Sequence, residues 1–114
     1  MLEIGADLGL TTAVLAERVG AKNVVGVDLA MESVEKARAS YPDLRFEQLD
    51  IFQEGAAAAL QKLAPAGFGR VFVDINGSRM LPAVLEALRI AMKELGAPVV
   101  VVKSRACLLY TSPS

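Results

Sequence analysis

The sequence predicts an α/β domain: a doubly wound parallel sheet with helices on both faces. Three observations predict it. Short apolar runs alternate with helix-period segments from the first residues to about residue 105, the rhythm of successive strand-helix-strand units. The first run enters a turn bracketed by Gly5 and Gly9, where the absence of a Cβ lets the backbone turn sharply and a ligand approach closely. Later strands end in, or just before, a carboxylate at Asp28, Asp50 and Asp74. Side chains at the carboxyl edge of a parallel sheet converge on one crevice, so the repetition outweighs any single acid. The expected strand order is 3-2-1-4-5, with right-handed crossovers.

Taken in order, Leu2 to Ile4 opens the sheet, and Thr11 or Thr12 is expected to cap a helix running through Val19, with Gly20 at its C-terminal turn. The apolar face predicted for that helix is Val14, Leu15 and Val19. Asn23 to Val27 is the second strand, a continuous apolar run suited to burial on both faces, and it ends in Asp28. Met31 to Ser40 reads as a helix with Val34 and Ala37 inward and a Glu32/Lys36 pair outward, stopped by Tyr41-Pro42-Asp43. Leu44 to Gln48 alternates in polarity, as a strand near the sheet edge does.

The second half repeats the scheme. Gly55 to Leu63 is an alanine-rich helix, short of large apolar anchors, and Ala64 to Gly69 is the loosest linker. Arg70 to Ile75 is the fourth strand, with Asn76-Gly77-Ser78 as the turn after it. Ser78 is a natural cap and Pro82 is tolerated in the first turn of a helix reaching Leu95, closed by Gly96, with Leu81, Val84, Leu85, Leu88 and Met92 as its buried stripe. Pro98 to Ser104 is the fifth strand, which brings Lys103 to the same edge as Asp74.

The bulk composition excludes several classes. With 114 residues, 54% of them hydrophobic and 22% charged, the chain is one globular domain rather than a disordered segment. A net charge of -1 provides no general basic field for nucleic acid. The longest apolar run, Pro98 to Val102, is far too short to span a bilayer, and no leader pattern is visible, so a cytoplasmic or organellar interior is the expected setting.

The glycine loop separates two kinds of nucleotide cofactor. A dinucleotide fingerprint places glycine at the positions held here by Asp7 and Leu10. An anionic Asp7 would repel a pyrophosphate, whereas a phosphate-free cofactor carrying an ammonium and a sulfonium would tolerate it or gain from it. At these residues the sequence resembles the class I S-adenosylmethionine-dependent methyltransferases, whose first motif is (D/E)-x-G-x-G-x-G. Glu3, Gly5 and Gly9 match, and Asp7 stands at the central glycine.

The resemblance implies S-adenosylmethionine as cofactor and a set of contacts. Asp28, nineteen residues after Gly9, is placed to accept both ribose hydroxyls, with Leu29 beside it; its alternative reading is a cap for the next helix. Asp50 would take the adenine amino group and the Ile51 backbone N–H the ring, although a lone Asp in a loop is also a common turn residue. Asp74 and Lys103 match two positions near the target hydroxyl in the ribosomal-RNA ribose 2′-O-methyltransferases. In that reading Lys103 takes the hydroxyl proton and Asp74 orients it; the bland alternative is a strand-end lysine in solvent.

The family's two other residues of that set, a Lys before the first strand and a Glu near the chain end, fall outside these 114 residues. No metal is called for, the sequence having no His; a magnesium-dependent catechol-type enzyme through Asp74 and Asn76 is the metal-using alternative. The competing classes are a non-catalytic binding or scaffold domain and, disfavoured by the loop, an NAD-type oxidoreductase. The methyl acceptor, whether small molecule, RNA or protein, is left open, and no membrane partner is expected.

Residues 107–114, Cys-Leu-Leu-Tyr-Thr-Ser-Pro-Ser, resemble the in-frame translation of a widely used transposase sequencing adapter. They are expected to be non-native and outside the fold, leaving residues 1–106 as a partial cofactor-binding domain and no native cysteine. The chain opens inside its first strand, where family members carry a preceding helix, and it stops before their final helix and antiparallel hairpin. It is therefore expected to be an internal piece of a larger gene product.

Overall fold

The structure is a computed structural model that describes residues 1–64, 67–74, 86, 89, 90, 93, 96, 99–103 and 108–111. Its strands are β1 (Leu2–Ile4), β2 (Val25–Asp28), β3 (Arg45–Gln48), β4 (Arg70–Asp74), β5 (Val99–Lys103) and β6 (Leu108–Thr111), and its helices α1 (Leu10–Val19), α2 (Met31–Ser40) and α3 (Ala56–Leu63). They form one sheet in the order β3-β2-β1-β4-β5-β6. Strands β1 to β5 are parallel, with Ile4 in register with Val27 on one side and Val73 on the other. The order 3-2-1-4-5 is as the sequence predicts. The chain leaves β1 toward β2 and β3, then returns past it to β4, so the switch of direction opens a crevice at the carboxyl ends of β1 and β4.

Alternation along the strands assigns the two faces. Leu2, Ile4, Val25, Val27, Val71, Val73 and Val100 are buried in one cluster with Leu60 of α3. Leu60, fully enclosed, is the large anchor of that alanine-rich helix. On the other face Phe46 packs with Ala6, Val34 and Ala37, so α2 covers the β2–β3 side. Gly26 makes this approach possible: a Cβ there would lie 2.8 Å from the Ala6 Cβ and 3.0 Å from both the Phe46 ring and the Thr12 Oγ1.

Several boundaries differ from expectation for identifiable reasons. Helix α1 begins at Leu10 with Gly9 as its N-cap in the left-handed region, and no side chain caps it. Thr12 instead is fully buried and donates its hydroxyl to the Glu3 carboxylate. That bond rotates the helix so that Val14, expected on the buried face, is 53% exposed. The second strand starts at Val25 rather than Asn23, because Ala21–Asn23 form a 3-10 turn. In that turn the Asn23 Nδ2 donates to the Val19 carbonyl at 2.6 Å, and the Asn23 carbonyl accepts from the terminal ammonium at 2.7 Å.

Helix α2 matches its expected span, with Val34 and Ala37 buried and Lys36 3.1 Å from Glu32. Strand β3 is the sheet edge, as its alternation predicts. Most of the helix expected between Ser78 and Leu95, including Pro82 and the stripe Leu81, Val84, Leu85, Leu88 and Met92, lies outside the described residues. Of that stretch, Ile90 is buried in the larger cluster and Arg89 pairs with Glu86 at 2.7 Å.

The sequence left residues 107–114 outside the fold, yet the backbone of Leu108–Thr111 pairs antiparallel with β5, Tyr110 opposite Val101. A parallel sheet ending at β5 presents a row of unpaired N–H and C=O groups, and an apolar four-residue run is well suited to occupy it. Among the described residues no helix is long and apolar enough to cross a membrane.

Candidate functional site

The β1–α1 loop is built from left-handed residues. Gly5 (φ 85°), Asp7 (φ 50°) and Gly9 (φ 88°) all have positive φ, and Asp is among the few side chains that tolerate it. The loop's amides are engaged within the protein: Gly5 and Ala6 both donate to the Val27 carbonyl, at 2.9 and 3.0 Å, and Gly9 donates to the Ala6 carbonyl at 2.9 Å. The Asp7 N–H donates to Asp28 Oδ2 at 2.8 Å. The Gly5, Ala6, Asp7 and Gly9 amides are therefore taken up in holding the loop to β2 and to itself.

The same bonds prepare Asp28. Its Oδ1 accepts from the Ala30 N–H at 2.9 Å while Oδ2 accepts from Asp7, which fixes the carboxylate at the end of β2 with a further lone pair on each oxygen. The N-cap of α2 is Ala30, without a side-chain cap, so Asp28 organises the turn before the helix rather than capping it. Two vicinal hydroxyls are the natural partners of such a pre-oriented carboxylate.

A crevice of about 330 Å³ lies over this edge, within the range of small-molecule sites. Of the residues singled out from sequence, Gly5, Asp7, Asp28, Leu29, Asp50, Ile51 and Asp74 line it. Leu29 and Phe52 flank its β2–β3 end at 47% and 39% exposure, apolar surface that a planar base would cover. The Leu29 carbonyl is held by the Gln48 amide at 3.0 Å. Asp50 is a turn residue as well as a wall, since its Oδ1 accepts from the Phe52 N–H at 2.9 Å. Ile51 belongs to the core cluster and touches the crevice from beneath.

Glu3 and Gly9 lie elsewhere. The Glu3 carboxylate is fully enclosed under α1 and bonded to Thr12, so it supports the loop from below. Gly9 faces the other way: a Cβ would come within 2.7 Å of the Phe46 ring. Both residues of the motif are explained here by packing. Lys103 is in register with Asp74 across β4 and β5, which puts the two positions at the carboxyl ends of adjacent strands. Asn76, the other candidate for a metal, lies outside the described residues; among the described residues no three His, Cys, Asp or Glu are grouped to hold an ion.

Of the lining residues that the sequence reading did not single out, Ser33 and Phe52 bear most on the site. Ser33 donates its hydroxyl to Asp7 Oδ1 at 3.1 Å, tying the first turn of α2 to the glycine loop. Phe52, next to Ile51, was detectable as an aromatic in a polar loop just past a strand.

Comparison with known proteins agrees with this architecture. Residues 1–96 match the model of a family described as a methyltransferase domain. Among solved structures, the methyltransferase domain of a bacterial CtHen1 superposes with a TM-score of 0.65 at 13% identity, covering 89% of this chain and 54% of that one. An S-adenosylmethionine-dependent methyltransferase from Mesorhizobium loti gives 0.57 at 20% identity, covering 89% and 43%. A Thermoplasma acidophilum protein gives 0.59 at 15%, covering 92% and 50%. These likenesses are in fold, and the chain spans about half the length of the structures it matches. No curated protein sequence matches.

Proposed function

The chain belongs to the methyltransferase domain family, and from that premise we propose that it binds S-adenosylmethionine in the crevice and, within its full-length parent protein, directs methyl transfer to a hydroxyl, that of an RNA ribose. The observation that carries the cofactor reading is the Asp28 carboxylate, held by two backbone N–H groups at 2.8 and 2.9 Å and open to a pair of hydroxyls. Asp50 and Ile51 would hold the adenine edge, with Leu29 and Phe52 covering its faces. The cofactor supplies a methyl group on a positively charged sulfur, transferred by in-line displacement.

The acceptor reading rests on Asp74 and Lys103. Asp74 is half-buried in the crevice wall, and β4 and β5 align residue 103 beside it. In its neutral form Lys103 would take the acceptor hydroxyl's proton as the oxygen attacks, and Asp74 would orient the lysine and then balance its charge. The rest of the rate comes from alignment in a site screened from water.

The test is transfer of labelled methyl by the full-length parent protein from S-adenosylmethionine to RNA oligonucleotides and to 2′-deoxy counterparts. Label is expected on the RNA alone, with Lys103→Ala lowering the rate by a factor on the order of 10²–10⁴ and the cofactor Kd unchanged. Equal labelling of deoxy strands would refute the ribose assignment. Indifference to Lys103→Ala would refute the proton-transfer role.

A further inference from the structure

The residue that departs from the family's first motif sits in the wall of the crevice, in an unusual backbone conformation. Asp7 occupies the motif's central glycine position with φ 50°, and Ser33 holds its Oδ1 at 3.1 Å. Among the described residues no lysine or arginine pairs with Asp7, and none lines the crevice. A carboxylate is thus fixed, with no cationic partner among the described residues, where the fold requires only a backbone that can turn.

Its place along the sheet edge says which part of a ligand it meets. Asp50 follows β3, Asp28 ends β2 and Asp7 follows β1, in the spatial order β3-β2-β1. A cofactor whose adenine is held by Asp50 and whose ribose is held by Asp28 carries its sulfur on the side of the ribose away from the base. That direction leads to the β1 loop. Asp7 and Asp28 are themselves adjacent, joined by the 2.8 Å bond from the Asp7 N–H.

We infer that Asp7 is a specificity-determining residue that favours the sulfonium cofactor over its thioether product. The inference rests on the reading of the crevice as an S-adenosylmethionine site. On transfer, the acceptor oxygen forms a bond to the methyl carbon, the carbon–sulfur bond breaks, and its electron pair stays on sulfur. S-adenosylmethionine carries ammonium, carboxylate and sulfonium charges, a net +1; S-adenosylhomocysteine carries the first two, a net 0. The charge that disappears is the one on sulfur, on the side of the ribose that leads to the β1 loop. Attraction by an exposed carboxylate is screened, so the effect is modest: about a 3- to 10-fold change in relative affinity, the fold-change that a pair about 6 Å apart gives at a dielectric between that of water and half of it. Such a site releases its product more readily than it releases its substrate.

The experiment is calorimetric titration of S-adenosylmethionine and S-adenosylhomocysteine into the chain and into its Asp7→Asn variant, at low salt and at 0.5 M NaCl. Asparagine accepts the left-handed conformation and its carbonyl keeps the bond from Ser33, so the substitution isolates the charge. Wild type is expected to prefer S-adenosylmethionine, and Asp7→Asn to lower that preference about 3- to 10-fold with the product's affinity held or improved; high salt should lower it in the wild type alone. Asp7→Gly, which restores the family's residue, serves if the asparagine variant is poorly folded and should do the same. A preference indifferent to Asp7 and to salt, with both ligands bound, overturns this inference alone. Failure of both ligands to bind the folded chain overturns the cofactor reading as well.

Discussion

Gly9→Ala is expected to unfold much of this chain's stability margin while leaving its ligand contacts formally intact. The new Cβ would stand 2.7 Å from the Phe46 Cζ, 3.0 Å from its Cε1 and 3.2 Å from the Ala37 Cβ. Phe46 is buried between α2 and the sheet, so its ring has no solvent-side position to take up. Overpacking of a filled core costs about 1–3 kcal/mol, and left-handed backbone at an alanine adds roughly 1–2 kcal/mol. The sum, about 2–5 kcal/mol, is a large share of the 5–15 kcal/mol typical of a domain. Urea unfolding followed by far-ultraviolet circular dichroism reads it directly: with a slope of about 1–3 kcal/mol per molar, the midpoint falls by at least about 0.7 M. Phe46→Leu separates the two contributions, because it opens space for the Cβ and leaves the backbone strain in place. Gly9→Ala in the Phe46→Leu background should therefore cost about 1–3 kcal/mol less than in the wild type. A Gly9→Ala penalty below about 0.5 kcal/mol, or strict additivity of the two substitutions, would refute the packing account of this glycine.

Thr12→Val, which removes the donor to the enclosed Glu3 carboxylate, should destabilise the chain by about 1–3 kcal/mol, and Thr12→Ser should restore most of it; equal midpoints for valine and serine variants would contradict a hydrogen-bonding role. Ending the chain at residue 106 removes β6, which pairs only with β5. We propose that residues 1–106 are the native, partial cofactor-binding domain, so the S-adenosylhomocysteine Kd should stay within about twofold while β5 amides exchange faster; loss of binding on this truncation would contradict that boundary. Ser33→Ala, freeing Asp7 Oδ1, should leave folding stability within about 0.5 kcal/mol, as a partly exposed bond implies, and a loss above about 2 kcal/mol would contradict it.

Much of the architecture was legible because its signals are local. Four- and five-residue apolar runs, the left-handed glycines and the Tyr41-Pro42-Asp43 stop each act within a few residues, and parallel connectivity then restricts the strand order. The place of Asp28 at the end of the second strand was legible for the same reason. The orientation of α1 was not. Its pattern offered Val14, Leu15 and Val19 as the buried face; Leu15 and Val19 are half-buried, but Val14 is exposed and Thr12, bonded to Glu3, takes the fully buried position. Spacing does not say on which side of the loop Glu3 and Gly9 pack; the burial of Glu3 and the Phe46 ring beside Gly9 do. Ser33 depends on a contact twenty-six positions away, which no local pattern encodes. The strand at Leu108–Thr111 comes from an open sheet edge, a property of the assembled sheet rather than of those four residues.

The most direct test of the central claim is calorimetric titration of S-adenosylhomocysteine into the folded chain beside Asp28→Ala. The product is the better probe because it binds without turning over. The account predicts a single site in the wild type and a Kd at least about 100-fold weaker in the variant, which loses two hydrogen bonds to a charged acceptor at about 1.5–3 kcal/mol each. Equal binding by the two proteins, or none by a wild type shown to be folded, would contradict it and leave the chain as a methyltransferase fold without a working cofactor site.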